Sequence, residues 1–280
     1  MAPDGENPLD PTHPSDLTVR FAAVLRRTEP PGTLDEACTL LAAHFGVGAD
    51  PDGTDLASVR AGLDELAKGV EVPSFTGVVE HLDRVGLGGT PSDYGTAASS
   101  MLPDVVRRRR GLPIMLAVVA VEAARRVGVA AAVVGMPGHV LVASVDEPGR
   151  LADPFHRRTR LDPDGARQLF ERLHGGAAHW DKSFLDPIGP PQVVARVLAN
   201  LANRYRSDKR HRQEAVALGL RSLVPGVSLA ERGTLASALA RSGAFDRAAV
   251  AIEELADAGG AGTEPDDLRD QATRWRARLN

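Results

Sequence analysis

The spacing of apolar residues predicts a chain made mostly of helices. In the N-terminal part, apolar residues recur at helical spacing behind capping residues and stop at glycines. Four predicted helices cover the segments SDLTVRFAAVLRR, TLDEACTLLAAHFG, DLASVRAGLDELAKGV and FTGVVEHLDRVGLGG. A short helix to about Arg109, a break at Gly111 and a long buried helix from Pro113 come next. Proline suits a first helical position, because its missing N–H would have no helical partner there.

Three short apolar runs then predict a small antiparallel sheet. Their sequences are VAAAVVGM, GHVLVASV and GRLADPF. We expect the last two to form a hairpin with its loop centred near Asp146, which places Leu141 opposite Leu151 and His139 opposite Asp153. Opposed side chains in such a pair have Cβ atoms roughly 5 Å apart.

An imidazole and a carboxylate at this separation can form a hydrogen bond. That bond would fix the tautomer of His139 and leave its other nitrogen available as a base. The alternative interpretation is structural, since the pair would then only satisfy two polar groups at the end of a hairpin.

From Asp164 onward the pattern is again helical. Ala/Leu-rich segments separated by proline and glycine resemble tetratricopeptide helix pairs, over about one and a half repeats at most. We expect this tail to pack on the core rather than to stand alone as a solenoid. The predicted organisation is a disordered leader (1–16), a helical region with the core (17–165) and the helical tail (166–280).

Composition excludes several classes of function. A net charge of −4 and an aromatic content of 4% argue against a general nucleic-acid binder. Cys38 is the single cysteine, which excludes an internal disulfide, and it lies on the apolar face of a predicted helix. The N-terminus lacks the features of a secretory signal, and the longest apolar run (114–121) is too short for a membrane span. We therefore expect a cytoplasmic protein.

The string RRRRGLPIMLAVVAVEAARRVG…GMPGHVLV…LADPF, followed by a helical tail, resembles the transglutaminase-like superfamily and in particular its SirB-type bacterial branch. The resemblance runs from about residue 33 to the C-terminus and is densest over 107–162. It implies an α+β, helix-dominated chain with a papain-like core. By position, His139 and Asp153 correspond to the histidine and aspartate of the superfamily's catalytic triad, and Pro113 stands at the position of the nucleophilic cysteine.

Proline has no nucleophilic atom, so an ordinary cysteine-dependent transglutaminase or protease activity is not expected. We predict a catalytically degenerate protein that acts by binding an unidentified protein or peptide, without a cofactor. The alternative is a cysteine-independent hydrolase or acyl transferase. In it, His139 and Asp153 would activate water or a hydroxyl from Tyr94, Ser99 or Ser100, and Arg110 is the fourth candidate residue of the cleft.

Two further signals concern charged and metal-binding residues. We expect Arg110 to pair with a buried acid, either Asp104 or Asp153, while the arginines before it form a solvated helix end. A metal site of His156 with His139 and Asp153 is the other signal. Three ligands from one hairpin without a preorganised fourth make a weak site, so no metal is predicted.

Overall fold

The computed structural model describes residues 15–27, 34–47, 55–175, 178–259 and 262–279. The predicted leader lies outside the described residues except for its last two positions. The chain divides into two compact units, one within Arg27–Val193 and the other within Met1–Arg26 and Val194–Asn280. Helices dominate both, and the first unit also contains a small antiparallel sheet, so the predicted fold class is confirmed.

Helix α6 is the central element of the first unit. The helices of this unit are α2 (Leu34–Ala43), α3 (Leu56–Lys68), α4 (Phe75–Arg84), α5 (Leu102–Arg108), α6 (Pro113–Arg126) and α7 (Pro163–His174). Helix α6 is apolar on nearly all sides and contacts α2 to α5 as well as the sheet. A helix that is apolar all round must be covered all round, which explains this position. Two short 3-10 helices (Pro91–Gly95 and Ala97–Ser100) occupy the loop before α5.

The sheet has five strands instead of the three predicted. They are β1 (Ala131–Val134), β2 (Leu141–Ser144), β3 (Leu151–Asp153), β4 (Arg158–Leu161) and β5 (Pro187–Ile188). The order is β4-β3-β2-β1-β5, and every neighbouring pair is antiparallel. The two strands missing from the prediction are at the edges. One is short and the other is rich in charge, as edge strands often are, so neither shows an apolar alternation.

The predicted register of the hairpin was wrong by two residues. Leu151 pairs with Ala143 rather than with Leu141, because the loop is centred one residue later than expected. His139 therefore precedes β2 in a turn and does not lie directly opposite Asp153. Side chains alternate faces with a period of two, so a shift of two residues leaves both side chains on the face that the prediction gave them.

One face of the sheet packs against α7. The buried side chains of this core are Val134, Met136, Leu141, Ala143, Leu151, Ala166, Leu169 and Phe170. The rings of Trp180 and Phe184 extend this core, because they lie within 6 Å of Phe170 and of each other, centroid to centroid. This core holds β2 and β3 in place, and with them the two turns that carry His139 and Asp153.

The second unit consists of helices. They are α1 (Asp16–Arg26), α8 (Pro190–Ser207, which begins in the first unit), α9 (His211–Ser222), α10 (Glu231–Arg241), α11 (Phe245–Asp257) and α12 (Pro265–Arg276). From α9 onward each helix packs against the next one. Gly243, with a φ of +86°, turns the chain between α10 and α11, and the small buried residues Ala236 and Ala248 lie on either side of it. The predicted domain boundaries and the packing of the tail on the core stay predictions.

No helix among the described residues has the length and apolar character needed to cross a membrane.

A buried ion-pair network ties α2 to α6. The carboxylate of Glu122 accepts the backbone N–H of Asp35 (3.2 Å) and a guanidinium N–H of Arg126 (2.8 Å). Arg126 also donates to the buried carboxylate of Asp35 (3.0 Å). Cys38 is fully buried, as predicted, and burial, followed by the charges of Glu122 and Asp35, raises the pKa of its thiol.

We predict that Glu122→Ala destabilises the protein by about 1–3 kcal/mol, because it leaves the buried Asp35 N–H without its acceptor and removes one carboxylate partner of Arg126, which keeps Asp35 and Asp64. The matched control is Glu65→Ala, because Glu65 is exposed and its ion pair with Lys68 is long, at 3.8 Å. We expect this control to cost less than about 1 kcal/mol. Urea unfolding of both variants measures the difference. Equal losses in the two variants would contradict the structural importance of the network.

Candidate functional site

Asp153 is the centre of the site, and its side chain is fixed by the chain that follows it. The residue ends β3 and is completely buried. Its Oδ1 accepts the backbone N–H groups of Phe155 (3.1 Å) and His156 (3.2 Å), because residues 154–157 form a turn. Aspartate commonly accepts such bonds from the residues after it and so stabilises the turn. These backbone hydrogen bonds orient the carboxylate without the help of another side chain.

Two imidazoles contact this carboxylate from different sides. The Nε2 of His139 lies 3.0 Å from Oδ1, and the Nδ1 of His156 lies 2.7 Å from Oδ2. Burial alone raises the pKa of Asp153, but the interactions with His139 and then His156 outweigh it and hold the pKa below its ordinary value. The structure therefore brings the predicted histidine and aspartate together. His156, which the sequence suggested only as a weak metal ligand, is a second partner of the same carboxylate.

The two imidazoles differ in their access to solvent. His139 is 4% exposed, whereas the side chain of His156 is 42% exposed. The rings of Phe155 and His156 stand 6.1 Å and 5.2 Å from that of His139, centroid to centroid. His139 is consequently closed off from solvent, and His156 forms the exposed side of the cluster.

Tyr94 is a cleft candidate that packs beside this cluster, against Phe155. Its ring meets Phe155 edge-on at a centroid distance of 5.6 Å, and the residue is 52% exposed. Burial, followed by the negative charge of Asp153, raises the pKa of the phenol. The Tyr94 hydroxyl therefore stays protonated at neutral pH.

Ser99 and Ser100 are buried in the loop that folds back on the start of α6. The carbonyl of Ser99 accepts the backbone N–H of Leu112 (2.9 Å), directly before Pro113. The hydroxyl of Ser99 donates to the carboxylate of Asp93 at 3.4 Å. The loop therefore folds back on the start of α6, as expected. The hydroxyl of Ser99, however, is hydrogen-bonded to Asp93.

The predicted partners of Arg110 were wrong. Its guanidinium donates to the buried Asp93 (2.9 Å) and contacts neither Asp104 nor Asp153 as an ion pair. Asp93 lies in a capping box in which it also accepts the backbone N–H of Thr90 (2.8 Å). This local turn points the Asp93 carboxylate inward. Its signal, the Thr-x-x-Asp spacing of Thr90 and Asp93, indicates a capping box but not which cation the aspartate will pair with.

Gly89 joins this loop to the turn after Asp153. Its N–H donates to the carbonyl of Phe155 at 3.1 Å. A Cβ at Gly89 would lie 2.1 Å from the Phe155 ring and 2.8 Å from the carbonyl of Gly111, so only glycine fits. In the sequence, the pair Gly88–Gly89 indicates only the end of a helix. The close contact of Gly89 with Phe155 arises when distant parts of the chain come together, so the sequence pattern does not predict it.

The space around the carboxylate is small. A cavity of about 20 Å³ borders Asp153 on the side facing α4 and α6, and the residues around it include Leu82, Ala120 and Pro154. This volume holds about one water molecule. Among the described residues, His139, Asp153 and His156 form a group of potential metal ligands whose donor atoms lie within 4.8 Å of one another.

Residues 59–199, just over half of the chain, match the model of the family described as the transglutaminase-like superfamily, and the chain belongs to this superfamily. It is similar to a UPF0162 protein of Xylella fastidiosa strain Temecula1, with 34% identity over 171 residues, 58% of this chain and 61% of that protein. A UPF0162 protein of Pseudomonas aeruginosa is 28% identical over 178 residues, 62% of this chain and 64% of that protein.

The chain thus spans less than two thirds of the length of these relatives. The comparison with solved structures gives no significant match. The predicted resemblance to the superfamily is confirmed.

The lowered pKa of Asp153 predicts a pH dependence of stability. A carboxylate whose pKa is lower in the folded chain stabilises the fold above the ordinary aspartate pKa of about 4, and the contribution is lost as the pH falls below it. We expect Asp153→Asn to be less stable than the parent at neutral pH and to lose less stability on acidification. Unfolding free energies between neutral pH and about pH 3 measure this. Asp146→Asn, at an exposed loop position, is the control and should follow the parent curve.

Proposed function

We propose that this protein is a catalytically degenerate member of the SirB-type branch that acts by binding a peptide. The burial of His139 and Asp153, at 4% and 0% exposure, is the observation that carries the proposal. A general base must come within hydrogen-bond reach of the proton that it removes. A substrate would have to displace the rings of Phe155 and His156 to reach His139.

The lack of a nucleophile, both at the expected position and at the single cysteine, supports the same conclusion. Pro113 occupies the first turn of α6 and has no atom that could attack a carbonyl group. Cys38 is buried on α2, and the raised pKa of its thiol keeps it protonated at neutral pH. A thiolate is the attacking species in cysteine-dependent catalysis, and neither residue supplies one.

The second unit offers an open groove that suits a peptide. It has a volume of about 710 Å³ and is lined by Arg206, His211, Ala230, Gly233, Thr234, Ser237, Arg241, Ile252, Leu255, Thr263 and Leu268. The apolar residues can bury side chains of a ligand. The hydroxyl groups and the cations along the groove can bind its polar groups.

The charges of this groove favour an acidic peptide. Arg206 and Arg241 both donate to the buried carboxylate of Glu214 (2.7 Å each), and His211 lies 3.3 Å from its other oxygen. Two guanidinium groups therefore share one carboxylate, which leaves an excess of positive charge. We propose a peptide that combines acidic and apolar side chains.

Binding of short fluorescein-labelled peptides to the full-length protein tests this proposal. We expect the acidic-apolar peptide to bind and its lysine and glutamine counterparts to bind more weakly. Thr234 is exposed on α10 within the groove, so charges can be added there without breaking a contact with Glu214. Thr234→Glu should weaken binding about five-fold and Thr234→Lys should strengthen it, since one unit charge at contact distance is worth about 1 kcal/mol in water.

These opposite signs separate an effect of charge from an effect of shape. Arg274→Glu on α12 is the matched control, because Arg274 is exposed and bonds only Gln271. Equal binding of all three peptides, or no binding of any, would contradict the proposal.

The alternative is a cysteine-independent hydrolase or acyl transferase. One observation favours it, namely the 3.0 Å separation of His139 Nε2 and Asp153 Oδ1 with the half-exposed Tyr94 nearby. A panel of amide and ester substrates tests it. We expect no turnover above background in the parent. Turnover that is lost in His139→Ala and retained in His179→Ala, a change at an exposed histidine, would establish the alternative instead.

A further inference from the structure

We propose that His139, Asp153 and His156 form a binding site for a divalent transition metal ion, with zinc as the best match. One donor atom from each residue lies within 4.8 Å of the other two, and the nitrogens that face the carboxylate are Nε2 of His139 and Nδ1 of His156. Two imidazoles and one carboxylate are donors that zinc and the neighbouring transition metals prefer. Magnesium and calcium prefer oxygen ligands alone, so this donor set disfavours them.

The spacing of the donors is close to what such an ion requires. Two ligand atoms on a tetrahedral zinc ion, each about 2.05 Å from the metal, are about 3.3 Å apart. The two histidine nitrogens lie 3.0 Å and 2.7 Å from the carboxylate oxygens that they face. To admit the ion, these two contacts would lengthen by about 0.3 and about 0.6 Å, and the donor atoms, now within 4.8 Å of one another, would all settle at about 3.3 Å.

The carboxylate is also supported in the way that metal ligands usually are. Ligating carboxylates are commonly hydrogen-bonded by groups that do not touch the metal. Asp153 accepts two backbone N–H groups on Oδ1 from its own turn. The neighbouring cation, Arg157, donates to Asp83 instead and does not occupy the carboxylate.

Access to the site lies on the side of His156. With its side chain 42% exposed, this residue borders solvent, while His139 and Asp153 form the buried wall. Water or an external ligand can complete the coordination from the exposed side, so the three ligands found among the described residues are enough for binding. The ion would link the turn before β2 to the turn after β3.

The experiment uses the full-length chain without a histidine tag, stripped with a chelator and then dialysed. Cobalt(II) and zinc(II) are titrated separately, cobalt by its visible absorption and zinc by calorimetry. We expect one ion per chain and a rise in the unfolding temperature with zinc. His156→Ala should weaken binding by about ten- to a hundred-fold or more. His179→Ala, at another exposed histidine, should leave it unchanged.

His156 is a suitable position for this test because its side chain is 42% exposed. The unfolding temperature of the metal-free variant shows directly whether the chain still folds. Equal affinity in the parent and in His156→Ala would overturn the proposal, as would the absence of stoichiometric binding to the parent. The readout is independent of peptide binding and of catalysis.

Discussion

The buried charge of Asp153 is the constraint on which the arrangement of the site depends. An ionised carboxylate without solvent exposure is costly unless hydrogen bonds and opposite charges compensate it. Asp153 receives this compensation from the backbone of its own turn and from His139 and His156. The turn before β2 and the turn after β3 are thereby fixed to one point, and Phe155 is placed where it contacts Gly89 and covers His139.

Among the described residues, the buried carboxylates are Asp35 with Glu122, Asp93, Asp153 and Glu214, and their partners differ in a way that matters for function. Glu122 is paired with arginines between α2 and α6, and Glu214 is held chiefly by Arg206 and Arg241. Guanidinium groups are always charged and offer no lone pair. The partners of Asp153 are imidazoles, which can also be neutral and can donate a lone pair. Asp153 has two imidazole partners and no guanidinium partner, whereas Glu214 has one imidazole, His211, beside two arginines. The Asp153 cluster is therefore the best suited of these carboxylates to proton transfer and metal binding.

The helical framework and the contact between His139 and Asp153 could be predicted from the sequence, whereas the details around them could not. Apolar periodicity defines α6 and its neighbours, but β4 and β5 have no apolar alternation. The predicted register of the hairpin was wrong by two residues, but the predicted contact between His139 and Asp153 is present. Side chains on a strand return to the same face every two residues, so a shift of two keeps both on one face. The partner of Arg110 was missed because it depends on a local turn at Asp93.

Solvent access to His139 is the central point of this account, and hydrogen exchange at the imidazole C2 position measures it most directly. In the metal-free protein, the account predicts that the C2 proton of His139 exchanges with deuterium much more slowly than that of His156, because Phe155 and His156 cover the His139 ring. Similar exchange rates at the two histidines would show that His139 is open to solvent. That result would contradict the interpretation of the pair as a closed remnant of a catalytic site.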